Sequence, residues 1–301
     1  MENRWKIIDL PSKFFSYKDK YFFGRALTVL DLKYLSSINP ENYEEICNDL
    51  LLRCIDLQST VLDNLNPDDR LYLLFWIRSN SFTKSGFDIE ANCPFCNSKI
   101  NTSCSLEELN VKYIKPEYFN KIYDFPKSEF KISIKIPTIK DNKDLLNANY
   151  DSQILKLASY VDSINDSKIN LLEAYQAINS MDPIEFRKFS TLFKNIEFGI
   201  DNIFQTTCPK CKKNVNCDLD FSKSIFSDIN LLHILEVDIK ISKYSNRPIQ
   251  DNDPWIEIEL RQEIINKLVE EEQEEIKKLS QNKNSLSRIS SPQIPKMPKI
   301  H

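Results

Sequence analysis

The sequence predicts an α+β fold: a mostly helical body, with two matched cysteine knuckles separated by a long helical insertion. Three observations predict it. The first is a pair of Cys-x-x-Cys turns, Cys93-Pro94-Phe95-Cys96 and Cys208-Pro209-Lys210-Cys211, roughly 110 residues apart. Each runs into a short stretch of alternating polarity, Ile100 to Leu106 and Val215 to Leu219. The second is a series of segments with apolar residues at helical spacing, punctuated by cap and stop residues, before, between and after the knuckles. The third is composition. The chain has 301 residues, 41% of them hydrophobic, enough for a sizeable core. No stretch approaches the ~20 consecutive apolar residues of a membrane span.

The elements follow in order. Trp5 to Arg25 mixes aromatics with turn residues and reads as an arm followed by a strand over 21–27. Thr28 and Asp31 have capping-box spacing and open a helix with Leu32, Leu35 and Ile38 on one face. A second helix covers 43–57, with Ile46, Leu50, Leu51 and Cys54 inward. Asn66-Pro67 starts a third, carrying Leu71, Leu74, Phe75 and Ile77 and ending near Ser81. Gly86 turns the chain into the first knuckle. Phe130, Ile132, Ile134 and Ile136 alternate with polar residues and predict a strand that Pro137 stops. Helices are predicted over 140–149, 152–164, 170–181 and 183–199, the last started by Asp182-Pro183 and punctuated by Gly199. Phe221 to Val237 is helix-prone. Asp253-Pro254 opens a helix to about Leu279 with Trp255, Ile258, Ile264, Ile265, Leu268 and Val269 apolar. Its acidic run Glu270–Glu275 projects into solvent. Three prolines in the last eleven residues exclude a regular helix or central strand there, and Ile294, Met297 and Ile300 recur as anchors for an extended docking peptide.

This divides the chain into a body at 1–240, a linker and amphipathic, acidic helix at 241–280, and an extended Pro-containing tail at 281–301. Within the body lie helices at 28–81, knuckle one at 93–106, the insertion at 107–205 and knuckle two at 206–220.

Paired Cys-x-x-Cys turns carry a specific chemistry. Each supplies two thiolates along one edge of a tetrahedron, and two such turns complete a zinc-ribbon site. The predicted ligands are Cys93, Cys96, Cys208 and Cys211, holding one structural zinc. Four thiolates leave no open coordination position, so the site is structural rather than catalytic. The same ligand set also fits an iron–sulfur site. A thioredoxin-like redox pair would need a βαβ context, whereas here the cysteines lead into alternating strands. Cys104 and Cys217 fall on the apolar strand faces and read as core, as do Cys47 and Cys54 at helical spacing.

Other chemistries are poorly supplied. There are two histidines, His233 in an apolar run and terminal His301, and three glycines, none in a phosphate-cradling motif. No nucleophile elbow or His-Glu-x-x-His helix occurs, so no catalytic residue is predicted. Net charge is −4, and the only dense basic patch is Lys210, Lys212 and Lys213, which speaks against nucleic-acid binding. Eight cysteines without a basic-then-apolar leader favour a reducing compartment.

The order of features resembles the baseplate hub proteins of contractile-tailed phages of the T-even type. The resemblance spans about 5–240. It rests on the Leu10-Pro11-Ser12 turn followed by Gly24-Arg25-Ala26-Leu27-Thr28, and on Leu65-Asn66-Pro67-Asp68-Asp69 followed by Leu73-Leu74-Phe75-Trp76-Ile77-Arg78. It continues in the two knuckles, in Ile136-Pro137-Thr138 and in Phe221 and Phe226. It implies a structural, non-enzymatic subunit of a tail baseplate hub or of its assembly pathway. The implied location is the virion tail baseplate, and the host cytoplasm during assembly. Implied partners are other hub and tail proteins, with about 253–301 as the docking element. The alternative is a cellular zinc-ribbon adaptor for nucleic acid or a polymerase-like complex.

Overall fold

Thr28 stands in extended backbone and accepts the Asp31 N–H, while the Asp31 carboxylate accepts the Thr28 N–H. This closed capping box starts α1 (Val29–Leu35). In the computed structural model the described residues are 4–84, 86–143, 151–218, 225–226, 228–245 and 247–286. Helix α2 (Tyr43–Cys54) ends earlier than its predicted 57, because Ile55 goes extended to bridge Gly24. A short α3 (Ser59–Asp63) follows, which periodicity did not reveal. In α4 (Pro67–Ser79) the Asn66 side chain accepts the N–H groups of Asp68 and Asp69, and proline occupies the first turn. The arm itself contributes a strand: β1 (Trp5–Ile7) pairs antiparallel with β2 (Phe22–Gly24).

These elements pack with two later helices, Leu231–Tyr244 and Trp255–Leu286, around one core that includes Leu27, Leu32, Leu50, Leu73, Ile258 and Trp255. Arg78 is buried in this core yet satisfied. Its guanidinium donates to both carboxylate oxygens of Asp228, at 2.8 and 2.7 Å, and to the carbonyls of Gly86 and Ile225. Ile225 and Phe226 are buried ahead of the penultimate helix, which starts only at Leu231 behind an Asn230 cap. Within the helix-prone stretch 221–237 the described residues 225–226 and 228–230 are therefore not helical, and residues 219–224 and 227 lie outside the described set. The long helix runs past Leu279 to Leu286. Ile294, Met297 and Ile300 lie outside the described residues. Among those described, no helix is long and apolar enough to cross a membrane.

The insertion corrects the prediction of a helical segment. It holds a second core and a four-stranded antiparallel sheet in the order β6 (Ile122–Phe125), β7 (Phe130–Ile134), β8 (Val161–Ile164), β9 (Ser167–Lys168). Its helices are α5 (Ile139–Lys143), α6 (Ser152–Ser159), α7 (Leu171–Asn179) and α8 (Pro183–Ile196). The helix predicted over 152–164 stops at Ser159 because Val161–Ile164 pairs with β7 instead, and beyond that strand Asn165 and Asp166 both take positive φ, 51° and 62°. That is the left-handed pair of a tight hairpin turn, which Asn and Asp tolerate, and it folds β8 back along β9. Phe125, Ile132, Tyr160, Ile178, Phe189 and Ile196 lie in this core.

The insertion closes on itself at a neck. There β5 (Val111–Lys112) pairs antiparallel with β10 (Gly199–Ile200), and Lys112 pairs with Asp201 at 3.0 Å. Gly199 is not the predicted helix stop, since α8 ends at Ile196. It has φ 117°, and a Cβ there would lie 2.6 Å from the Asp68 carboxylate. Glycine lets the neck lie against the start of α4.

Candidate metal centre

Two hairpins bring the four knuckle cysteines together. The first is β3 (Phe87–Asn92) with β4 (Lys99–Cys104), and the second is β11 (Ile203–Thr207) with β12 (Asn214–Asp218). Their connecting turns are the same turn built twice. Cys93 N–H donates to Ser98 C=O at 2.9 Å, and Cys208 N–H donates to Lys213 C=O at 2.9 Å. Asn97 N–H returns to Cys93 C=O at 2.8 Å, and Lys212 N–H to Cys208 C=O at 3.0 Å. Asn97 and Lys212, four residues after each first cysteine, both take positive φ, 54° and 59°.

The four Sγ atoms all lie within 4.8 Å of one another. Cys93 Sγ is 3.7 Å from Cys211 Sγ, and Cys96 Sγ is 3.7 Å from Cys208 Sγ. A tetrahedron with metal–sulfur bonds of ~2.3 Å has edges of about 3.8 Å, so these separations fit a tetrathiolate centre. They are far beyond the ~2.05 Å of a disulfide. Cys93 and Cys208 are buried over a small apolar floor of Ile100 and Val215.

The electrostatics suit a cation. The Ser98 hydroxyl lies 3.0 Å from Cys96 Sγ and 3.3 Å from Cys208 Sγ, placed to donate to sulfur. Its hydrogen bonds pull the Cys96 thiol below its usual range. The Cys211 N–H and then Ser98 bring Cys208 down to about 6. At Cys211 the Lys213 N–H acts in the same direction, but desolvation and the neighbouring thiols outweigh it and push that group up to about 11. Four sulfurs this close do not all ionise without a positive charge among them, which is what a divalent metal supplies.

The other cysteines stand apart. Cys104 and Cys217 are buried, and burial pushes the Cys104 thiol up to about 12. Cys47 and Cys54 lie in the main core. His233 is exposed and meets the Trp255 ring edge-on at 6.3 Å. The two hairpins are separate two-stranded sheets, so the described ladders share no strand across the centre. Sequence reasoning missed Ser98. A hydroxyl two residues past a knuckle cysteine was the available signal.

No curated protein and no solved structure matches the chain. The family model described as T4 bacteriophage base plate protein matches residues 9–227. That span takes in the core of the insertion, most of the main core, the neck and all four clustered cysteines, and on it the chain belongs to the T4 bacteriophage base plate protein family.

Proposed function

We propose that the chain is a structural, non-enzymatic subunit of a phage tail baseplate hub or of its assembly pathway, stabilised by one zinc on Cys93, Cys96, Cys208 and Cys211. Convergence of four thiols from two distant turns is the observation that carries the zinc. Four thiolates saturate a tetrahedral ion, so the metal's work is to tie residues 112 positions apart into one module. The protein then acts through its surfaces on other hub and tail proteins, in the virion tail baseplate and, before that, in the host cytoplasm.

In this reading the body at 1–240 is the folded platform, 241–280 is a linker and helix, 281–301 is the tail, and about 253–301 acts as the docking element. Trp255 and Ile258 root the long helix in the core, while Ile276 and Leu279 are each 65% exposed beyond it. Removing everything after Asn252 would therefore damage the core. Truncation after Val269 is the cleaner test. The shortened chain keeps one zinc per chain by elemental mass spectrometry and fails to enter baseplate complexes. Normal entry would sink the docking role, and purified wild type with no bound metal would sink the zinc.

A further inference from the structure

The knuckle tips form a surface that the metal centre does not need. Phe95, between two of the candidate ligands, is 58% exposed, and Lys213 from the other knuckle stands 4.5 Å over its ring. Lys99, Lys210 and Lys212 are exposed on the same two hairpins. No acidic residue occurs from Ala91 to Leu106 or from Ile203 to Cys217, in a chain whose net charge is −4. The result is a rigid basic knob with an aromatic anchor.

The same chain carries the complement. Residues 270–279 of the long helix are exposed. Glu271, Glu275 and Leu279 follow at i, i+4 and i+8, with Glu272 and Ile276 alongside, so three carboxylates and two apolar side chains share one face. Lys277 falls on the other side, while Lys278 lies at the edge of this face beside Glu271 and pairs with Glu274. The helix is unbroken from Trp255 to Leu286, so the core fixes its direction.

We propose that the knuckle knob of one copy docks the acidic arm of a second copy, with Phe95 between Ile276 and Leu279 and the lysines against Glu271, Glu272 and Glu275. The contact is head-to-tail, and its repetition gives a ring or a filament according to the rotation between copies. This rests on the reading of the long helix as a docking element and names one occupant for it.

The test is sedimentation velocity of the full chain at about 50 mM and about 500 mM salt, where exposed charge pairs are screened to different extents. Wild type self-associates at low salt and dissociates at high salt. Lys210→Glu/Lys212→Glu/Lys213→Glu and Glu271→Lys/Glu272→Lys/Glu275→Lys each weaken association at least about tenfold when alone. Mixing the two reversed chains restores it, because each knob then meets an arm of opposite sign. Metal per chain stays unchanged in both. A monomeric wild type overturns self-docking while leaving the truncation test of the arm intact. Association indifferent to either reversal overturns it, as does metal loss in the lysine variant, which would make the lysines counter-charges of the centre. Tight binding of a single-stranded DNA oligonucleotide to the knob of a monomeric chain would also overturn it.

Discussion

The insertion and the knuckles lie next to each other in sequence but are held together by different physics. The insertion between Ile114 and Phe198 buries its own apolar core, including six aromatic side chains, and its two ends are stitched by the β5–β10 pair. The buried floor of the knuckles is Cys93, Ile100, Cys208 and Val215, half of it ligand. One region folds by burying surface, while the other has too little apolar surface to do so and, in the function proposed above, depends on an ion. Because the neck holds the insertion's ends independently of the sulfurs, the two dependences separate.

The strongest way to break this contrast is Cys208→Ser. Closing so long a loop through a metal would by itself predict that losing the ion loosens the insertion as well. With the neck present, the variant instead loses the metal, worth on the order of 10 kcal/mol in small modules. Hydrogen exchange then shows unprotected β4 and β12 amides and an insertion sheet as protected as before. Loss of protection across β6–β9 would end the comparison.

Phe189→Ala probes the other side. Phe189 is 1% exposed and meets Phe125 edge-on at 5.8 Å. Its truncation costs about 3–5 kcal/mol in the insertion, read from a denaturant midpoint, while metal content stays the same.

Asp68 reports on the seam between the two cores. Burial first, with Asp69 and Glu197 adding and Lys156 opposing, raises its carboxyl to about 7. A carboxyl raised on folding stabilises when protonated, so its contribution is present below about pH 4 and is lost as pH rises toward 7. Asp68→Asn therefore gains stability relative to wild type between pH 4 and 7.5, measured as a widening gap in urea midpoints. A gap that stays constant or narrows would remove Asp68 from the seam's energetics.

The smallest effect sharpens the ligand assignment. Cys217→Val and Cys104→Val keep the metal and change stability by less than about 1.5 kcal/mol, since a similar apolar volume fills each buried site. Metal release by either variant, measured with a chromogenic chelator, would mean that the ligand set is wrong.

What was legible in the sequence was local. The Thr28–Asp31 box, the Asn66-Pro67 start and the Phe130–Ile134 alternation are short-range signals, and each marks an element in the structure. The clustering of Cys93, Cys96, Cys208 and Cys211 was foreseeable from matched spacing. Strands β8 and β9 were not, because Val161-Asp162-Ser163-Ile164 becomes a strand only through pairing with β7, and those four residues were read as the end of a helix. Gly199 was read as punctuation because the sequence does not show that Asp68 lies against it. Ser98 gained meaning only once Cys208 was known to approach it.

Distance along the chain is also elapsed time during synthesis. Cys208 follows Cys96 by 112 residues, which at about 5–20 residues per second is roughly 6–22 s of translation. For that interval the first knuckle is half a site. The insertion is being made in the meantime, and its sheet and helices are complete before Cys208 emerges. Once β10 pairs with β5, the second knuckle is delivered beside the first, so in the function proposed above the neck would set the moment of metal capture.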